Sequence, residues 1–214
     1  MNSKNEYFIK HLIDWFELNK RDFSWRKPDL TPFQLLIAEI MLQKTGANQV
    51  ENLFPDFIKK YPDANSVISM KDEELEELLH PLGLFKRRTR DIKKTAQQIV
   101  ENENKIPRTR KELMKLPGVW EYIANAVLCF GFKKPVPIVD ANVGRIMNRI
   151  FSFPVKSAPS RDKNLLEKMK EILPEKNARA FNLALLDFAA LVCLPRKPRC
   201  EECPLSQSCD FFSK

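Results

Sequence analysis

No apolar run in this chain of 214 residues reaches the length of a membrane-spanning helix, and the opening MNSKNEYFIK has no hydrophobic core of the kind that leads a secreted protein. These two absences argue against a helical membrane protein and a secretory leader, and they point to a cytoplasmic chain. No segment alternates apolar and polar residues with period two, so a sheet-based core is excluded and an all-α fold is expected. Histidine is scarce: His11 and His80 stand too far apart in the sequence to suggest a metal site. Before residue 193 the one cysteine is Cys129, set in an apolar helical stretch where packing is its expected role.

What the chain does have is length enough for a real core, as one large domain or two smaller lobes, and a net charge of +8. That balance favours polyanions but also suits many ordinary soluble proteins. The remaining four cysteines, Cys193, Cys200, Cys203 and Cys209, crowd the end of the chain with the spacing C-x6-C-x2-C-x5-C. In a reducing compartment such a cluster implies a metal or an iron-sulfur cluster rather than disulfides. Zinc ribbons usually pair two short C-x2-C arms, and only one arm here is short. Arg196, Lys197, Arg199 and Lys214 make this segment basic, either to lie along a nucleic-acid backbone or simply as a solvated loop.

The organising stretch runs from Leu116 to Arg149. Thr109 and Glu112 have the spacing of a capping box for a short helix, Pro117-Gly118 turns the chain, and a second helix is expected over Glu121 to Phe130, closed by Gly131. Gly118 lets backbone approach another molecule, and amides at such a turn face outward as anion donors. A proline-punctuated loop then leads to Asp140 at the mouth of the next helix. Read by itself, Asp140 is a helix N-cap.

This stretch resembles the helix-hairpin-helix, Gly/Pro-rich loop and aspartate signature of the base-excision DNA glycosylases, the superfamily of endonuclease III and the adenine glycosylase MutY. Within it the likeness is greatest to the archaeal-type G:T mismatch thymine glycosylases. The segment AEIMLQKT, residues 38 to 45, is similar to the S-E-V-M-L-Q-Q-T of adenine glycosylases, and FNLALLDFAALVC resembles the segment that enters the cluster loop of the thymine enzymes. One departure stands out. Family hairpins read L-P-G-V-G, and here the second glycine is Trp120, which either restricts backbone approach to a phosphate or stacks its indole on a nucleotide.

The other helices follow from periodicity. Residues 4 to 18 place Tyr7, Phe8, Leu12, Trp15 and Phe16 on one face. Thr31-Pro32-Phe33-Gln34 starts a helix that carries Phe33, Leu36, Ile37, Ile40 and Met41 inward. Helices are also expected over 47 to 60, 72 to 79, about 86 to 100, 141 to 151, 161 to 173 and 178 to 191. Glu39, between Ala38 and Ile40, is either on the exposed face or held in a cleft where desolvation raises its pKa and makes it a usable acid. The basic run Lys86 to Arg90 is either a wet face or part of a DNA-binding surface.

The resemblance implies a two-lobed helix-hairpin-helix glycosylase fold: residues 27–135 as a six-helix barrel, and 1–26 with 136–214 as a lobe carrying a [4Fe-4S] cluster on the four cysteines. A cleft between them would hold Glu39, Tyr122 and Asp140 against a base extruded from double-stranded DNA. Asp140 would stabilise the sugar's oxocarbenium character and Glu39 would hydrogen-bond the leaving base. Gln43 and Lys44 sit where relatives fill the hole left in the duplex, Leu84 or Phe85 where an apolar wedge enters it, Leu116, Gly118 and Trp120 in the phosphate-gripping hairpin, and Asn142 near sugar or phosphate. Bifunctional relatives carry a Schiff-base lysine where this chain has Tyr122, which implies a monofunctional enzyme. Val139-Asp140-Ala141-Asn142 matches the thymine type, so thymine or uracil opposite guanine is the expected substrate, acted on by a monomer. Two other readings are an adenine glycosylase acting opposite guanine or 8-oxoguanine, and a non-catalytic DNA-binding module.

Overall fold

The structure is a computed structural model that describes residues 3–213; Lys214 lies outside the described residues. Every regular element among them is helical, as the lack of period-two alternation requires. The chain divides into two compact units, Asp22–Phe132 and Met1–Arg21 with Lys133–Lys214.

The discontinuous unit begins with α1 (Ser3–Asn19), whose Phe8, Leu12 and Phe16 are buried. The unit Asp22–Phe132 is built on α2 (Pro32–Leu42). The sequence starts this helix cleanly: Thr31 Oγ1 accepts from the Gln34 amide at 3.3 Å, Gln34 Oε1 accepts from the Thr31 amide at 3.0 Å, and Pro32 occupies the first turn. Eight of the 11 residues of α2, Phe33 and Leu35 to Met41, are buried, so α2 is a central helix rather than an amphipathic surface one.

The helices that follow are α3 (Ala47–Glu51), α4 (Phe54–Lys60), α5 (Ala64–Ser69), α6 (Asp72–Leu79), α7 (Phe85–Glu101), α8 (Arg110–Leu113) and α9 (Glu121–Ala126); α3, α7 and α9 pack on α2, α5 and α6 on α7, α4 on α3 and α8 on α9. The expected helix over 47 to 60 is two helices. Pro55 lacks the N–H that would reach the Glu51 carbonyl and its ring crowds that carbonyl, so the first helix stops there and proline opens the second. α5, unmarked by periodicity, is nucleated by Asp63, whose carboxylate accepts from the Ser66 amide at 2.8 Å. The helix expected to end at Phe130 is also divided: α9 gives way to one π-helical turn, Val127–Gly131. That turn packs on α2 so closely that a Cβ on Gly131 would sit 3.3 Å from Pro32 Cα.

Three further helices, α10 (Ala141–Phe151), α11 (Lys163–Ile172) and α12 (Ala178–Leu191), complete the discontinuous unit. α12 is its spine, with α1 and α10 packed on it. Phe8 meets Phe181 and Phe151 edge to face at 6.0 and 5.1 Å, and Trp15 meets Phe188 at 5.5 Å. Each fully buried Phe contributes about 1.5–3 kcal/mol. Two polar residues of α12 hold the chain beside it. Asp187 accepts from the Arg21 amide and Nε at 2.9 and 2.6 Å. Asn182 accepts from the Ile138 amide at 3.1 Å and donates to the Val136 carbonyl at 3.0 Å, fixing the proline loop that delivers Asp140.

Candidate functional site

In the unit Asp22–Phe132, the hairpin joining α8 to α9 is clamped from below. Gly118 has φ +73°, a left-handed conformation open to glycine, and a Cβ there would meet Asp91 at 3.1 Å. Thr95 Oγ1 donates to the Pro117 carbonyl at 3.1 Å and Gln43 Nε2 to the Gly118 carbonyl at 2.6 Å. Leu116 is buried and its carbonyl accepts from the Val119 amide, so at this position only backbone is near the surface. Gln43 is therefore turned onto the hairpin. Beside the hairpin opens a cavity of about 400 Å³ lined by Gln43, Lys44, Leu84, Trp120 and Tyr122 among others. Phe85 is not on it; its ring lies 4.8 Å from that of His80.

Arg88 ties this cavity together. Read within the basic run it was a solvent or DNA cation, but it is buried, and its guanidinium donates to the carbonyls of Ile40 at 3.3 Å, Leu82 at 3.1 Å, Gly83, and Gln43 at 2.8 Å, and to Thr45 Oγ1 at 2.8 Å. Those acceptors are the frayed end of α2 and the turn that presents Leu84. Helical periodicity carried the signal, because Arg88 shares a face with the buried Ile92, Ala96 and Ile99. Replacing Arg88 with alanine leaves several buried carbonyls unsatisfied, and a destabilisation of about 3 kcal/mol or more is expected in denaturant unfolding.

Glu39 lies one helical turn before Gln43, inside the unit and not on an exposed face. It is 5% exposed, and its Oε2 has no hydrogen-bond partner. Burial pushes its pKa up to about 7, against the pull of the Arg26 charge. A carboxyl with a pKa so raised and an unpaired oxygen can give up a proton near neutral pH.

Asp140 belongs to the other unit, at the N-terminus of α10. It is the N-cap its sequence position suggested: Oδ1 accepts from the amides of Asn142 and Val143 at 2.9 and 2.8 Å. Oδ2 is held as well, by Asn142 Nδ2 at 2.7 Å. Asn142 Oδ1 accepts from Arg145 Nη1 at 3.0 Å, and Arg145 Nε donates to the Cys193 carbonyl at 2.9 Å. A three-residue relay thus joins Asp140 to the cysteine loop. Arg145 was not singled out from sequence, since a lone arginine on an amphipathic helix carries no signal of its carbonyl partners.

The four cysteines are free thiols lining one small cavity. Burial raises the pKa of Cys203 to about 11 and also raises that of Cys200, with the neighbouring cysteines adding to both. Thiols so placed need a cationic group to hold them as thiolates. Four thiols facing one small cavity are a donor set that fits an iron-sulfur cluster. Arg149 donates to Cys193 Sγ at 3.4 Å and to the Leu194 carbonyl at 2.7 Å, and the Leu205 amide donates to Cys203 Sγ at 3.4 Å. Bound iron and sulfide in equal amounts are expected in protein purified without air, and Cys203→Ser should lose most of both; zinc in their place would refute the assignment.

Residues 37–175 match the HhH-GPD superfamily base excision DNA repair protein family, and residues 193–209 match the iron-sulfur binding domain of endonuclease III. The chain is 33% identical over its whole length to a thymine/uracil-DNA glycosylase of Methanothermobacter thermautotrophicus, covering 96% of that protein. It superposes on the structure of a thermostable thymine-DNA glycosylase with a TM-score of 0.93, at 33% identity and covering 99% and 98% of the two chains. On a trapped endonuclease III–DNA covalent intermediate the TM-score is 0.84, at 26% identity and covering 100% and 98%. With a buried acid near neutrality, a hairpin and a cysteine loop all in place, this chain belongs to the helix-hairpin-helix HhH-GPD superfamily of base excision DNA repair proteins.

Proposed function

We propose that this protein is a monofunctional DNA glycosylase that removes thymine or uracil opposite guanine from double-stranded DNA. The observation that carries the reading is Glu39, a buried carboxyl whose pKa, pushed up to about 7, keeps much of it protonated at neutral pH. A base leaving a deoxyribose takes the bonding electrons with it, and a proton donor aimed at that base lowers the barrier. The sugar is left with cationic character that Asp140 stabilises, and the same carboxylate steers the attacking water. The target nucleotide must first leave the duplex, with Leu84 as wedge and Gln43 and Lys44 occupying the space it vacates.

Tyr122 supports hydrolysis alone, because a phenol cannot form an imine with the opened sugar. The two compact units support a division into a hairpin-bearing lobe near residues 27–135 and a cluster lobe from 1–26 and 136–214, to within a few residues at each boundary. In the cluster lobe, Cys193, Cys200, Cys203 and Cys209 hold a [4Fe-4S] group that fastens the C-terminal loop. The protein acts as a cytoplasmic monomer; no described helix is long and apolar enough to cross a membrane.

Duplexes carrying T:G, U:G, A:G and A opposite 8-oxoguanine, incubated with the protein and then treated with alkali, test the reading. Strand breaks only with T:G and U:G support it, and breaks only with adenine transfer the activity to the adenine class. No alkali-labile product from any duplex leaves a DNA-binding module. A covalent adduct trapped by borohydride in high yield would refute the monofunctional assignment.

A further inference from the structure

Trp120 and Leu84 are both 54% exposed and open onto the same cavity of about 400 Å³. Half-exposed large apolar side chains sharing one concavity call for a partner with an apolar face. The backbone at Trp120 is extended, with φ −103° and ψ 175°, so the chain fold does not require glycine there and the indole is added without strain. The hairpin that carries it is anchored by Thr95, whose Oγ1 donates to the Pro117 carbonyl at 3.1 Å whether or not Gln43 stays on Gly118. Leu84 stands at φ +51°, a conformation few leucines adopt, and the Arg88 clamp on the turn before it keeps it there. Lys44, Arg87 and Arg88 line the same cavity with Asp91, which pairs with Arg87 at 3.4 Å, so the lining keeps an excess of positive charge.

An aromatic face, an apolar wedge and flanking cations are together the chemistry of a site for an unstacked nucleotide. We infer that Trp120 is the stacking platform of this protein, taking the face of a base that has lost its neighbours or its pairing partner, and that it sets the discrimination between disturbed and intact duplex. This deepens the glycosylase reading and rests on it for the identity of the ligand. Two bases qualify: the extruded base and the one left opposite it.

Full-length protein and its Trp120→Ala and Trp120→Phe variants are to be titrated with three duplexes: fully matched, T:G with a 2′-fluoro sugar that resists hydrolysis, and a tetrahydrofuran abasic analogue opposite guanine. Trp120→Ala should weaken binding to disturbed duplex by about 5- to 100-fold while matched duplex changes by less than about 2-fold, and Trp120→Phe should recover most of the loss. A loss with the abasic analogue identifies the base left behind; a loss confined to T:G identifies the extruded base. No loss, or an equal loss on matched duplex, overturns the inference. The glycosylase reading fails separately: if wild-type protein releases no base from T:G or U:G yet the Trp120 discrimination is seen, the platform stands and the activity does not.

Discussion

Asp140→Asn is expected to lower base release from T:G and U:G duplexes on the order of 10³-fold while leaving DNA affinity and folding nearly unchanged. The fold survives because asparagine caps a helix as well as aspartate does, and Oδ1 can still accept from the amides of Asn142 and Val143. The charge does not survive, and with it goes the anion that a developing sugar cation requires. The relay suffers too. Asn142 donates to Asp140 Oδ2 and accepts from Arg145, so a new amide at position 140 sets donor against donor, and flipping Asn142 would set donor against Arg145 instead. Single-turnover excision and equilibrium binding to the same duplex separate the two effects. Excision retained within about tenfold would remove Asp140 from the chemistry.

Glu39→Gln should cost about 10²- to 10⁴-fold in excision and should also remove a pH dependence from stability. In the unfolded chain this carboxyl ionises at its ordinary value of 4.5, whereas in the folded protein it holds its proton up to about 7. Between those values the folded state binds more protons, so this group's contribution to stability falls as pH rises from 4.5 through about 7. The variant has nothing to titrate there. The stability difference between variant and wild type should therefore move by about 2–3 kcal/mol in the variant's favour between pH 5 and pH 8. Denaturant unfolding at the two pH values measures it. Wild-type single-turnover rates should in turn decline as pH rises through about 7, where the acid is lost. A flat difference in stability, with a flat rate profile, would place Glu39 in water rather than in the interior.

Much of this was legible along the chain. The start of α2 was written in Thr31, Pro32 and Gln34, and that of α10 in Asp140, because a cap is a contract among residues three or four apart. The cysteine spacing announced a cluster, and the hairpin was visible in Pro117-Gly118. Burial was harder to read. Sequence alone favoured an exposed face for Glu39, but α2 is apolar nearly all round, and such a helix has no polar side to receive one carboxylate. Arg88 hid in a run of like charges, although its spacing from Ile92 and Ala96 pointed inward.

Sequence by itself determined that the protein is all-α, where most helices begin and end, and which four thiols gather, since caps, prolines and periodicity act over a few residues. Tertiary structure alone decided that Glu39 is buried, that Arg88 is a clamp and that Trp120 stands beside a cavity. Those properties depend on what packs against a side chain from distant parts of the chain, and the free energy of a charge or an indole is set by that surrounding medium rather than by its neighbours in sequence.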